Sequence, residues 1–146
     1  TNTGDSTNCG IGSNCENSTN NGGSSANCGI ASNCENSSNT GTTTQCGLIS
    51  DCSNSTNTAL FVNCGILSNC SNNVNNADIS LCGLASNCSN NVDSAELFIC
   101  GTLSDCSGSE LKNAKIIICG TFSNCSGLTG ADCPPGTLDD DGNVIQ

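Results

Sequence analysis

Cysteine is the residue with the most chemistry to offer here: the chain holds 15, and 14 of them fall into one motif, Cys-Gly-x-x-Ser-Asn/Asp-Cys. The pairs are Cys9 and Cys15, Cys28 and Cys34, Cys46 and Cys52, Cys64 and Cys70, Cys82 and Cys88, Cys100 and Cys106, and Cys119 and Cys125, with Cys133 left over. Three uses are open to them. In a straight strand, residues six apart face the same way but lie about 20 Å apart. A disulfide needs Cα atoms within about 7 Å. Pairing within a motif therefore requires the segment to fold back, pinching a coil across its interior. Pairing between coils would join stacked cysteines whose parallel side chains fit a dihedral near 90° poorly. Metal binding is the third use, but structural zinc sites favour cysteines two to four apart, and a five-residue gap is a poor match. Counting favours the first use, since seven motifs make seven pairs and leave only Cys133. No metal site is expected.

The other reactive residue types offer less. A serine occupies the fifth place of every motif (Ser13, Ser32, Ser50, Ser68, Ser86, Ser104, Ser123), but the sequence has no histidine to activate it. The acids are scattered singly, without the carboxylate pair of a glycosidase. "DDDGN", Asp139 to Asn143, resembles a fragment of a calcium loop without its closing Glu, and reads as a solvated acidic tail. No catalytic residue and no cofactor is expected. Six Asn-x-Ser/Thr sequons mark candidate glycan sites, at Asn17, Asn36, Asn54, Asn69, Asn87 and Asn124.

Composition narrows the partners. Thirteen acids against Lys112 and Lys115 give a net charge of −11, which repels nucleic acid and anionic membranes. The aromatics are Phe61, Phe98 and Phe122, with no Tyr or Trp, so base-stacking platforms are missing. No apolar run approaches the roughly 18 residues of a membrane span. Cysteine at a tenth of the chain points to an oxidising compartment, hence a secreted or cell-surface protein. The start at Thr1 rather than Met adds the expectation of a removed leader.

The elements that must position the cysteines follow from their spacing. The first cysteines of the motifs stand 19, 18, 18, 18, 18 and 19 residues apart. A fixed period of this size is the signature of a solenoid. Eighteen residues cannot hold two helices and a turn, whereas "ALFVN", "ADISL", "AELFI" and "AKIII" before the later cysteines are β-friendly. The predicted fold is all-β, a β-solenoid of about seven coils over residues 9–127, each laced by a Cys-x5-Cys disulfide. Residues 1–8 form an N-terminal extension and 128–146 a non-repeat tail. Read as columns, Gly follows each first cysteine and favours the bend. Asn17, Asn36, Asn54, Asn72, Asn90, Gly108 and Gly127 form a corner, being types that tolerate φ > 0. Asn14, Asn33, Asp51, Asn69, Asn87, Asp105 and Asn124 are expected to stack as an axial amide ladder, with Glu16 and Glu35 an awkward like-charged pair. The apolar core is expected to grow toward the C-terminus through Leu60, Phe61 and Ile79 to Ile116, Ile117 and Ile118.

The Cys-x5-Cys spacing resembles that of the beetle antifreeze solenoids, whose cysteine pairs six apart bridge each coil. The likeness covers that spacing; their Thr-Cys-Thr rows and twelve-residue period are missing here.

Function follows by elimination. The expected role is that of an extracellular structural protein, a subunit of a disulfide-stabilised filament or surface fibre that stacks end to end with itself. The tail, with Pro134-Pro135, Cys133 and "NVIQ", is expected to bridge one copy to the next. The alternatives are an ice-binding solenoid, or a rigid adhesin stalk contacting glycans or a cell surface.

Overall fold

A computed structural model describes residues 1, 3, 6–21 and 25–129. The chain is a β-solenoid of parallel strands. One sheet has seven: β1 (Ser6–Cys9), β3 (Ser25–Cys28), β5 (Thr43–Cys46), β7 (Phe61–Cys64), β9 (Ile79–Cys82), β11 (Leu97–Cys100) and β13 (Ile116–Cys119). The facing sheet has six: β2 (Thr19–Asn21), β4 (Ser38–Thr40), β6 (Thr56–Thr58), β8 (Val74–Asn76), β10 (Val92–Asp93) and β12 (Glu110–Leu111). Strands pair in chain order within each sheet, so each repeat is one coil, numbered here 1 to 7 from its odd strand. Register is strict. Cys9 aligns with Cys28, Cys28 with Cys46, and Cys100 with Cys119. A third ladder of single bridges joins Asn14, Asn33, Asp51, Asn69, Asn87, Asp105 and Asn124 along the axis.

Each coil has two left-handed corners, and a third bend, such as that at Ala59 and Leu60 between β6 and β7, leads into the next coil. The expected one carries φ near +55° at Asn17, Asn36, Asn54, Asn72 and Asn90, and +68° at Gly108 and Gly127. The second lies inside the cysteine motif, at Gly12, Ala31, Ile49, Leu67, Ala85, Leu103 and Phe122, with φ between 50° and 61°. A left-handed residue with a Cβ costs roughly 1–2 kcal/mol, least for Asn. The bend is thus two residues beyond the glycine column.

That column serves a different purpose. A Cβ on Gly83 would sit 1.9 Å from the carbonyl oxygen of Gly65, and one on Gly65 2.0 Å from that of Gly47. Glycine is required because successive coils touch backbone to backbone.

The core runs up the middle of the coil. The disulfide cysteines supply most of it, joined by Phe98, Leu111, Ala114 and Ile117 in coils 6 and 7. Apolar burial therefore does increase toward the C-terminus, but of the residues expected there only Ile117 lies in the core. Leu60, Ile116 and Ile118 are exposed, and Phe61 and Ile79 are only half-buried on the outer face. The inward row of the seven-stranded sheet is Thr44, Val62, Ser80, Phe98 and Ile117. Apolar residues occupy both faces of β11 and β13, so alternation in the sequence could not reveal which face was inner.

One prediction follows from the backbone contact. Gly83→Ala should destabilise the solenoid by about 3 kcal/mol or more, because the obstructing atom is a carbonyl held in a ladder. Gly12→Ala, where nothing lies within 4 Å of the added carbon, should cost about 1 kcal/mol. Thermal unfolding of the two oxidised variants checks the difference.

Candidate functional site

The cysteine motif closes on itself in every coil. Disulfides join Cys9–Cys15, Cys28–Cys34, Cys46–Cys52, Cys64–Cys70, Cys82–Cys88, Cys100–Cys106 and Cys119–Cys125, with Cα separations of 6.1 to 6.5 Å. The left-handed corner within the motif makes this possible, by folding the second cysteine back beside the first. The seven disulfides form an axial spine. Sulfurs of Cys9, Cys15 and Cys34 lie within 4.8 Å of one another, as do those of Cys28, Cys34 and Cys52. They are committed to S–S bonds and present no thiolate for a metal or for nucleophilic attack. Cys133 and the Asp139–Asn143 segment lie outside the described residues.

Two hydroxyl columns flank the spine, one after each corner. From Ser32 to Ser104 the Ser of the motif accepts one backbone N–H and donates to one carbonyl of the preceding coil. The Ser50 N–H donates to Ser68 Oγ at 3.1 Å, and Ser68 Oγ donates to the Gly47 carbonyl at 2.7 Å. The second column works alike: the Ser18 N–H donates to Ser37 Oγ, which donates to the Cys15 carbonyl at 3.2 Å. In coils 4 and 5, Asn73 and Asn91 replace the serine and accept with Oδ1. These hydroxyls hold successive coils together.

The Asn14 column behaves differently from expectation. In all seven coils its Oδ1 accepts the backbone N–H two residues later, from Glu16 N–H onto Asn14 to Ser126 N–H onto Asn124. These are Asx turns within a coil. Asp serves as well as Asn because the turn uses only Oδ1. Axial amide bonds form only where an Asn follows an Asp, Asn69 to Asp51 and Asn124 to Asp105. Glu16 and Glu35 are eased by corner amides, from Asn17 at 3.2 Å and Asn54 at 3.1 Å.

The true amide ladder is interior. Asn20 Nδ2 donates to Asn39 Oδ1 at 2.8 Å, Asn39 to Asn57 at 2.9 Å, Asn57 to Asn75 at 2.9 Å, and Asn75 to Asp93 Oδ2 at 3.1 Å. The same column reading could have found it, at the fifth residue after each second cysteine. All amides donate toward the C-terminus, so the last acceptor needs no donor of its own, and a carboxylate fits there. Above Asp93 the column becomes Leu111, fully buried. Asp93 also accepts the Ala95 N–H at 3.0 Å and a bond from the Ser80 side chain. Burial pushes its pKa up, against the opposing pull of the Ser80, Ala95 and Asn75 bonds.

The candidate glycan sites divide by exposure. Asn17, Asn36 and Asn54 sit exposed at the corner. Asn87 and Asn124 are exposed too, but Asn69 is half-buried with its Nδ2 on Asp51. Among the described residues no helix is long and apolar enough to cross a membrane. The sole ion pair there, Lys115 Nζ to Glu96 Oε1 at 2.7 Å, is exposed and contributes little. Comparisons with protein-family models, with curated proteins and with solved structures find no match.

The raised pKa of Asp93 sets a testable pH dependence. Its charged form is the one disfavoured by folding, so its contribution is most favourable when protonated. Stability from this group should rise as pH falls from neutral through the raised folded pKa, and level off below the ordinary aspartate value. Asp93→Asn should lack that component, so the difference in unfolding midpoint between wild type and variant should change between pH 7 and pH 4. A constant difference would show that Asp93 does not titrate in this range.

Proposed function

We propose that the protein is an extracellular structural subunit, stacked end to end into a disulfide-hardened filament, and not an enzyme. One observation carries this reading. In the column after the first cysteines, Gly29, Gly47, Gly65, Gly83 and Gly101 are each dictated by a carbonyl of the coil before, less than 2.5 Å from where a Cβ would stand. Gly10, in coil 1, meets only Ser13 Oγ at 3.5 Å. Its neighbour Ser13 likewise has the hydroxyl that elsewhere donates to the preceding coil, here only 3.5 Å from the Ile11 carbonyl. Coil 1 thus keeps the fittings for a coil beneath it, and the last coil of another copy would supply one. Parallel sheets have unlike ends, so such contacts are head to tail and do not close. The seven disulfides support an oxidising location outside the cell. Exposed Asn17, Asn36 and Asn54 are the proposed points for glycans, and the outer surface the proposed route to a cell surface.

Electron microscopy of the wild-type protein and of Gly10→Val tests the reading. Wild type should form filaments with salt-promoted growth, since screening relieves the charge of −11. Gly10→Val should fold normally and remain as short particles. Filaments of unchanged length in Gly10→Val would remove the argument from the glycine.

A second reading has one observation in its favour. The outer face of the six-stranded sheet presents Thr19, Ser38 and Thr56 in one register row and Thr40 and Thr58 in another, uncharged until Glu110 and Lys112 in coil 6. A flat hydroxyl array of this kind suits ice binding. A thermal hysteresis assay decides it: a freezing-point gap that vanishes in Thr56→Lys would favour ice over filament.

A further inference from the structure

The two corners of each coil have the same backbone conformation and opposite side-chain chemistry. The outer corner uses Asn or Gly, which the left-handed region tolerates. The corner inside the cysteine motif has Gly12, Ala31 and Ala85 in coils 1, 2 and 5, but Ile49, Leu67, Leu103 and Phe122 in coils 3, 4, 6 and 7, with φ of 55° to 58° and 56 to 77% of each of these four exposed. A β-branched or bulky residue at positive φ is an outlier, and here the side chain gains no burial in return. The column one residue earlier holds Ile30, Leu48, Ile66 and Leu84, also exposed, and then Thr102 and Thr121 in coils 6 and 7. Together they make an apolar ridge parallel to the axis, on a chain of net charge −11. Backbone strain retained for an exposed apolar side chain points to a surface that is covered when the protein works.

Beside the ridge runs a groove of about 500 Å³, with Gly29, Gly47, Gly65 and Gly83 in its lining. Ile30, Leu48 and Ile66 form one flank, and Gln45, Asn63 and Leu81 the other. Its glycines are those that the coil-to-coil contact demands, so the groove follows from the fold itself. Ridge and groove are adjacent, parallel and share one axial pitch, about 4.8 Å per coil. Neither contains a charged residue.

We infer that this face pairs with the same face of a second copy, side by side and parallel, the ridge of each solenoid seated in the groove of the other. Symmetry fixes the direction. A two-fold axis parallel to the solenoid brings each ridge opposite the partner's groove. A two-fold axis across the solenoid would set ridge against ridge. In the parallel arrangement coil 4 meets coil 4, and the pitch matches along the whole length. Charge favours a second copy as occupant. Two chains of −11 repel each other everywhere except across a neutral face, and this face is neutral. Size agrees with a modest contact. The groove runs through coils 2 to 5, which gives a shared face roughly 20 Å long and 15 Å wide, on the order of 300 Å² per copy, well under half of a standard interface. Single solenoids should therefore pair weakly. The proposal goes beyond axial stacking and does not depend on it.

Sedimentation velocity of the oxidised protein reads the pairing without filaments in the Gly10→Val form, and in wild type at low salt, where charge repulsion opposes axial growth. Both should show a concentration-dependent monomer–dimer equilibrium. The triple variant Ile49→Asn, Leu67→Asn, Leu103→Asn should keep or raise its thermal midpoint, because Asn suits the left-handed corner, and should weaken dimerisation at least tenfold. A photo-crosslinker at Leu67 should label the partner's groove in coils 3 to 5. Monomer at every concentration, an undiminished dimer in the triple variant, or labelling confined to the six-stranded sheet would each overturn the proposal. So would a wild-type monomer that instead sediments with neutral phosphatidylcholine vesicles, which would make the ridge a lipid-binding surface. Loss of filaments in Gly10→Val with the dimer intact would separate the axial contact from this one.

Discussion

The disulfide that closes each coil is the constraint from which the rest of the structure follows. Holding two Cα atoms about 6 Å apart across a six-residue separation forces a left-handed turn between them. It also narrows the coil until little besides sulfur fits at that level of the interior. A small chain that cannot assemble a large apolar core gains its stability from such crosslinks, each closing a short loop and limiting the unfolded state. The order of the chain tracks this dependence. Coils 1 and 2 contribute only cysteine to the core cluster, while coils 6 and 7 add Phe98, Leu111, Ala114 and Ile117.

A narrow coil with a largely polar interior must satisfy every polar group internally. Three ladders do most of this, each extending what the backbone ladder already does along the axis, and among the described residues Asn27 Oδ1 and Thr44 Oγ1 are left without a partner. The serine columns take up the N–H and carbonyl groups that the two corners remove from the sheets. The Asn20–Asp93 ladder fills the lumen and has a direction, every amide donating toward the C-terminus. A directional ladder cannot pass into an apolar stretch through an amide, because its last N–H group would face a hydrocarbon. Ending on the Asp93 carboxylate, beneath Leu111, resolves that junction. The solvation cost appears as the raised pKa.

Much of this was legible in the sequence because a solenoid converts period into space. The period gave the coil, the cysteine count gave the pairing, and the Asn17 column gave one corner. The second corner was hidden because Ile49, Leu67 and Phe122 are poor left-handed residues by intrinsic preference; tertiary closure by the disulfide overrides it. The glycine column was assigned to the bend when its role is close approach, a distinction that needs the neighbouring coil in view. The Asn14 column was assigned an axial role because Asn stacks readily, yet its interchange with Asp already indicated a function of Oδ1 alone. Phe61 and Ile116 read as inward because "FVNC" and "IIIC" carry apolar residues on both sides, and Ile79 because "ISLC" turns its large apolar residues outward and Ser80 inward. Where both faces are apolar, one of them lacks a reason within the monomer.

The outer faces are therefore where the monomer leaves its chemistry incomplete, and they do so in two unlike ways. The ends of the solenoid are unequal, with polar, glycine-fitted coil 1 at one side and the Ile116–Cys119 edge at the other. A contact between unlike ends repeats without limit. The ridge and groove are a single surface complementary to itself, and a self-complementary contact closes at two. If both contacts form, length is unbounded and width is fixed at a pair. The lateral contact, weak between single solenoids, then strengthens with every subunit added, since each new coil meets a partner already held in register. By this route a chain with high negative charge and few large side chains would reach a stiff assembly without any strong individual interface. The acids confine association to the neutral face and the ends, and the regular pitch supplies the rest.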